Sequence, residues 1–311
     1  MVRQPCYPFR SEQAKAEYEA LCQEKAKAWP PESETMTVET ASGQTFVRAC
    51  GRSTDPPLVL LPGARAGSLM WTPHVATLAA HYRTYALDII GDVGLSVNRR
   101  ETMKIQDLVD WLDEVLTVLA PERSVSLMGM SFGGWIAGEY ALRHPGRLRS
   151  VVLLAPGGTV LPLSFAFFAR LTFLSLPVPG RSGGPLLRTL HWIFRDAAEG
   201  DDISRALFDE TVAYLQRVWH LFNLPRPPWP TVIDDKAWQG FSVPCLFLVG
   251  EHEKIYAAEK AVARLKRVAP QVKVEIIPGA GHDLTMVQGD LVVRKVVEFL
   301  GEPAAVGASA A

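Results

Sequence analysis

Ser124-Val125-Ser126-Leu127-Met128-Gly129-Met130-Ser131-Phe132-Gly133-Gly134 is the stretch on which the fold turns. Residues 129–133 fit G-x-S-x-G, the pattern of a serine set on a sharp turn between a strand and a helix. Such a turn is crowded, and glycine brings no Cβ to clash there. Upstream, Val125, Leu127 and Met128 form an apolar run of the length of a buried parallel strand. Downstream, Phe132 to Arg143 (FGGWIAGEYALR) reads as a helix whose small residues permit close approach to a sheet. The serine hydroxyl would stand clear of the sheet, beside free backbone N–H groups at the helix start. A nucleophilic serine needs both.

Working outward, strands and helices alternate on either side. Ser11 to Trp29 reads as an amphipathic helix stopped by Pro30-Pro31, and 35–40 with 44–50 as a hairpin about Ser42-Gly43. Leu58 to Leu61 is a continuous apolar strand, followed by Pro62-Gly63 and a helix to about Ala80. Thr84 to Asp88 is a strand, Ile105 to Leu119 has helical spacing, and Ser150 to Ala155 follows as a strand. Alternation then stops from about Gly157 to Asp235, a segment rich in Phe, Trp, Leu and Pro with one clear helix at Ile203 to Phe222. It resumes with a strand at Val243 to Val249, a helix at Tyr256 to Val268, a strand at Val272 to Ile277 and a helix at Asp290 to Leu300. This order predicts an α/β fold with a mostly parallel sheet covered on both faces. The expected organisation is an N-terminal helical segment at 1–30, a core at 31–156 and 236–301, a helical cap at 157–235 inserted after the sixth strand, and a disordered tail at 302–311.

Composition excludes several classes. The 311 residues are 48% hydrophobic and 21% charged, enough for a substantial core, and the net charge of −1 gives no electrostatic case for nucleic acid or an anionic membrane. Cys6, Cys22, Cys50 and Cys245 are widely spaced and form no C-x-x-C pair, so they read as reduced thiols rather than disulfides or a metal site. The N-terminus has no apolar secretory core, and the apolar Thr159 to Pro179 stretch is broken by Arg170 and prolines, so no membrane span is expected. A cytoplasmic protein is expected, with no metal and no cofactor; association as a homodimer is left open.

A serine hydroxyl becomes a nucleophile when a histidine takes its proton and a carboxylate orients that histidine. In a doubly wound sheet both partners sit in loops at the carboxyl ends of late strands, the acid before the histidine. Gly250-Glu251-His252-Glu253 follows one late strand, and Gly279-Ala280-Gly281-His282-Asp283 follows the next. His282 is the expected base, with His252 too early in the chain to have an acid upstream. Glu253 is the expected acid, with Glu251 as alternative and Asp283 less suited by its adjacency to His282. Leu154 to Gly158 offers no carboxylate after the preceding strand. The oxyanion donors are expected to be the Phe132 N–H and, from the loop after Leu58 to Leu61, the Ala64 N–H. Arg65, Phe165, Phe168, Trp192 and Trp219 are candidate pocket residues.

The chain resembles the α/β-hydrolase superfamily, and within it the small capped carboxylesterases. The resemblance spans about Trp29 to Leu300. It rests on Leu60 to Gly63, Tyr85 to Asp92, Gly129 to Gly134, Gly250 to Glu253 and Gly279 to His282. Two positions depart from the family pattern: Pro62-Gly63 stands where His-Gly is usual, and the acid is Glu rather than Asp. The resemblance implies an eight-stranded sheet and ester hydrolysis through an acyl-enzyme. Serine at 131 disfavours relatives with an aspartate nucleophile. The expected substrate is a small ester with a short-to-medium acyl chain. Acyl transfer, perhydrolysis and C–C bond hydrolysis use the same serine, and a silent ligand-binding protein is the alternative outside catalysis.

Overall fold

The computed structural model describes residues 8–99, 103–175, 184–223 and 227–301. Cys6 and the expected tail at 302–311 lie outside the described residues. Nine strands form one sheet: β1 (Glu34–Thr40), β2 (Gly43–Cys50), β3 (Pro57–Leu61), β4 (Arg83–Leu87), β5 (Val97–Asn98), β6 (Val125–Met130), β7 (Leu148–Leu154), β8 (Cys245–Gly250) and β9 (Lys273–Ile277). Eight of them run in the order β1-β2-β4-β3-β6-β7-β8-β9, with the two-residue β5 beside β2. The β1–β2 hairpin is antiparallel, β2 is antiparallel to β4, and every pairing from β4 through β9 is parallel. The short β5 gave no apolar run in the sequence; it exists because Gly43 and Gln44 supply an open edge for it.

The central strands are apolar at nearly every position because both faces are covered. Val59 and Leu61, Val151 and Leu153, and Phe247 and Val249 point to one face; there they meet Trp111 of α3 (Ile105–Leu119, numbered in chain order after α1, Glu12–Ala26, and α2, Thr72–Ala79), Trp135 of α4 (Phe132–Arg143) and Trp238. Leu58 and Leu60, Val152 and Leu154, and Leu246 and Leu248 point to the other, against Tyr18 of α1, Leu78 of α2 and Val296 near the C-terminus. Ser11 caps α1 by accepting the Ala14 N–H at 3.1 Å, which fixes its start.

Between β7 and β8 the described residues form five helices: α5 (Phe165–Ser175), α6 (Gly184–Ile193), α7 (Arg195–Ala198), α8 (Asp202–Leu221) and α9 (Asp235–Gln239). The sequence showed α8 clearly, and Asp201 caps it by accepting the Ser204 N–H. Leu190, Ala197, Phe208 and Val212 give this insertion a small apolar core of its own. The chain then returns through β8, α10 (Ala258–Val268), β9, α11 (Leu284–Val287) and α12 (Gly289–Gly301). No helix among the described residues is long and apolar enough to cross a membrane.

Candidate active site

Ser131 occupies the turn between β6 and α4 with φ 52° and ψ −111°, a left-handed conformation that costs a non-glycine residue free energy. The neighbourhood holds it there. Its N–H donates to the Leu154 carbonyl at 2.9 Å, and its carbonyl accepts from Gly157 and Trp135, each at 3.0 Å. A Cβ on Gly129 would lie 2.3 Å from the Gly133 carbonyl oxygen, so only glycine lets the turn close.

His282 and Glu253 arrive from the ends of β9 and β8. His282 Nε2 lies 2.9 Å from Ser131 Oγ, and His282 Nδ1 lies 2.9 Å from Glu253 Oε2. With the Nδ1 proton donated to the carboxylate, Nε2 is left to accept the serine proton. The Glu253 side chain is fully buried, and its other oxygen accepts the Ile255 N–H at 2.9 Å. The extra methylene of a glutamate is taken up because Glu253 lies three residues past the end of β8, its N–H turned back to the Gly250 carbonyl. A Cβ on Gly250 would sit 2.2 Å from the Gly281 carbonyl oxygen, so the loops that carry Glu253 and His282 touch through bare backbone. Burial alone would push the His282 imidazole down; the charge and hydrogen bond of Glu253, with Asp283, outweigh it and hold the imidazole above its usual 6.5.

Glu251 has a different place. It is exposed, accepts the Gly279 N–H at 2.9 Å, and so braces the two loops. His252 pairs its Nδ1 with Asp196 Oδ1 at 3.1 Å at the rim.

The loop after β3 lies against Ser131, a Cβ on Gly63 being 3.7 Å from the Ser131 Cβ. The Pro62 carbonyl takes the Gly133 N–H at 3.1 Å, tying this loop to the serine turn. Among the described residues, the Ala64 and Phe132 N–H groups donate to no protein acceptor. The contact that position 62 makes with the serine turn is through its backbone carbonyl, which proline supplies as any residue does. Two carboxylates hold the loop from behind. Asp88, fully enclosed, accepts the Ser68 and Leu95 N–H groups at 2.6 and 2.7 Å; Asp92 accepts the Arg65 N–H at 2.9 Å. The signal for both roles in the sequence is faint, two aspartates after an apolar strand and beside glycines.

The expected pocket residues are dispersed. Arg65 turns to Asp92, its Nη1 3.0 Å from Oδ1, so its charge is neutralised by the loop after β4 rather than offered to a substrate. Phe165 is 83% exposed, and Phe168 and Trp219 are also exposed, so these three line no enclosed chamber. Phe165 and Phe168 instead flank an open surface groove of about 310 Å³ with Trp229. Trp192 lies beneath the Arg170 guanidinium, 4.1 Å from ring centre to Cζ. The aromatic residue beside His282 is Phe194, whose ring is nearly parallel to the imidazole at 6.3 Å between centroids. Nothing in its sequence neighbourhood singled it out. No cluster of His, Cys, Asp or Glu suited to a metal ion occurs among the described residues.

Comparison with known proteins gives a consistent picture. The model of a family described as alpha/beta hydrolase matches residues 58–295. A protein of Bacillus subtilis (strain 168) named uncharacterized carboxylesterase nap is 34% identical over 89% of both chains. Carboxylesterase YbfK of the same organism is 31% identical over 88% of this chain and 89% of its own. The crystal structure of naproxen esterase (carboxylesterase NP) from Bacillus subtilis superposes with a TM-score of 0.83 at 30% identity, covering 94% of this chain and all of that one.

Proposed function

The chain belongs to the alpha/beta hydrolase family as a carboxylesterase, and from that premise we propose that Ser131, His282 and Glu253 form its catalytic triad, with the Ala64 and Phe132 N–H groups as the oxyanion hole. The observation that carries the reading is the unbroken line from Ser131 Oγ to His282 Nε2 and from His282 Nδ1 to Glu253 Oε2, each step 2.9 Å. Ser131 Oγ attacks the ester carbonyl carbon while His282 takes its proton. The carbonyl π electrons move to the oxygen, which the two N–H groups stabilise. When the C–O bond breaks, His282 returns the proton to the departing alcohol. Water then enters; His282 removes its proton as the water oxygen bonds to the acyl carbon, and when the acyl–serine bond breaks His282 returns the proton to Ser131 Oγ and the acid is released. Throughout, buried Glu253 stabilises the imidazolium.

The substrate is a small ester with an apolar, short-to-medium acyl group. Support comes from Phe194 beside His282 and from Gly157, where a Cβ would lie 3.8 Å from Ser131 Oγ and 3.9 Å from Ile255, leaving apolar space next to the nucleophile. The helices between β7 and β8 act as its cap, since Phe194 belongs to them. Arg65, neutralised by Asp92, gives no reason for an anionic substrate. The free, buried thiols of Cys22, Cys50 and Cys245 support a reducing compartment, the cytoplasm. A chain-length series of aryl esters tests the substrate reading. Turnover is expected to peak at short-to-medium acyl chains; activity confined to long-chain lipids would overturn it.

A further inference from the structure

The insertion reaches the histidine loop through one short turn. Phe194 precedes α7, and its ring lies over the His282 imidazole at an interplanar angle of 12°. Three residues on, the Ala197 N–H donates to Asp283 Oδ2 at 2.7 Å. The other oxygen, Asp283 Oδ1, accepts the Gly281 N–H at 2.9 Å. Asp283 is wholly buried, and no cation pairs with it among the described residues. Burying an unpaired carboxylate is expensive, and its two backbone donors offset only part of that cost. Asparagine, with a single carbonyl oxygen, could accept only one of these two N–H groups, so a carboxylate is what satisfies both. A charge kept at such a site needs a partner, and the group beside it that becomes positive during the reaction is His282.

We propose that Asp283 is a positioning residue for ester hydrolysis: it fastens the histidine loop to the Phe194–Ala198 turn and sets a second negative charge beside the imidazolium. The inference rests on the triad reading and extends it. The fastening makes a competent His282 depend on a docked insertion, so the element that bounds the substrate also aligns the base. The charge adds to that of Glu253 in stabilising the protonated imidazole. The charged groups around this cluster are Glu253 on the β8 loop, Asp283 itself, Asp196 on α7, and the rim pair of His252 with Asp196 and Glu251.

Three variants of the full chain separate charge from tether, read by kcat and KM on a short-chain aryl ester and by the pH profile of kcat/KM. Asp283→Asn is expected to lower kcat about 10-fold with KM within about twofold, and to move the acid limb to lower pH, because a less stabilised imidazolium loses its proton sooner. Asp283→Glu restores the charge and should return the limb to its wild-type position even where the rate recovers only in part. Ala197→Pro deletes the donor at the first turn of α7 and keeps the charge; kcat should fall with the limb unmoved. A folded Asp283→Asn protein with the wild-type limb overturns the electrostatic part. If that variant fails to fold, Asp283→Glu decides instead, a shifted limb contradicting the proposal. An Ala197→Pro protein with wild-type kcat overturns the tether. Failure of the triad reading looks different: Ser131→Ala would then retain activity while the Asp283 variants behave in any manner.

Discussion

The loops at the strand ends and the insertion between β7 and β8 hold their positions by different physical means. The loops are fixed by bare backbone in contact: the Gly129 Cα faces the Gly133 carbonyl, and the Gly250 Cα faces the Gly281 carbonyl, each with room for hydrogen alone. Buried acceptors complete the arrangement, with Asp88 and Asp92 under the oxyanion loop and Glu253 under His282. The insertion is held by side-chain packing and by scattered backbone bonds such as that of the Ser164 N–H to the Ile255 carbonyl at 2.7 Å. It has a four-residue buried core, leaves Phe165, Phe168, Ile203, Trp219 and Trp229 exposed, and meets the histidine loop at Phe194 and Ala197. Chemistry resides where the backbone leaves no freedom, and substrate shape is left to the part that can vary.

That contrast predicts a steep gradient of mutational effects. Ser131→Ala should lower ester turnover by about 10⁶, as loss of a nucleophile does elsewhere; retention of most activity in a steady-state assay would break the comparison at its root. Glu253→Gln preserves shape yet supplies an amide where a carboxylate must hold the Nδ1 proton, and a fall in kcat of about 10⁴ is expected. Glu251→Gln, two residues away, should stay within about threefold, since it only braces Gly279. Equal losses in the two variants would show that the acid has been misassigned.

Gly129→Ala tests the backbone contact itself. The new methyl would meet the Gly133 carbonyl at 2.3 Å, so a destabilisation of about 1–3 kcal/mol in denaturant unfolding is expected, accompanied by lost activity. In the insertion, Phe165→Ser alters an 83% exposed ring and should change stability by no more than about 0.5 kcal/mol. A larger loss would mean that the insertion is fastened as tightly as the loops. The pH profile sharpens the same comparison. His282 acts as a base only when neutral, and Glu253 with Asp283 holds its proton on above pH 6.5, so kcat/KM should fall as pH drops through a limb lying above that value. A limb below 6.5 would contradict the electrostatic account.

Legibility in the sequence followed the same division. The strands β3, β6, β7 and β8 were readable because burial on both faces demands an apolar residue at nearly every position, a signal that survives without knowing the neighbours. Ser131 was readable because a strained turn demands glycines at fixed offsets, and His282 because its loop repeats that demand at the end of β9. The distinction between Glu251 and Glu253 was weaker. Both follow β8, and only the fold back of Glu253 onto Gly250 decides which one lies under the imidazole. Phe194 and the pocket were not legible. An aromatic residue in a helical insertion can face a core, solvent or a substrate, and the choice is made by tertiary contacts that leave no period in the sequence. Arg65 failed for a related reason, since its partner Asp92 is 27 residues away and on another loop.

The most direct test of the account is covalent labelling with a fluorophosphonate, mapped by mass spectrometry in the native protein and in His282→Ala. The account predicts one adduct, on Ser131, formed rapidly in the native protein and slowed by several orders of magnitude once the imidazole is gone. An adduct on another residue, or labelling of Ser131 at an unchanged rate without His282, would contradict it.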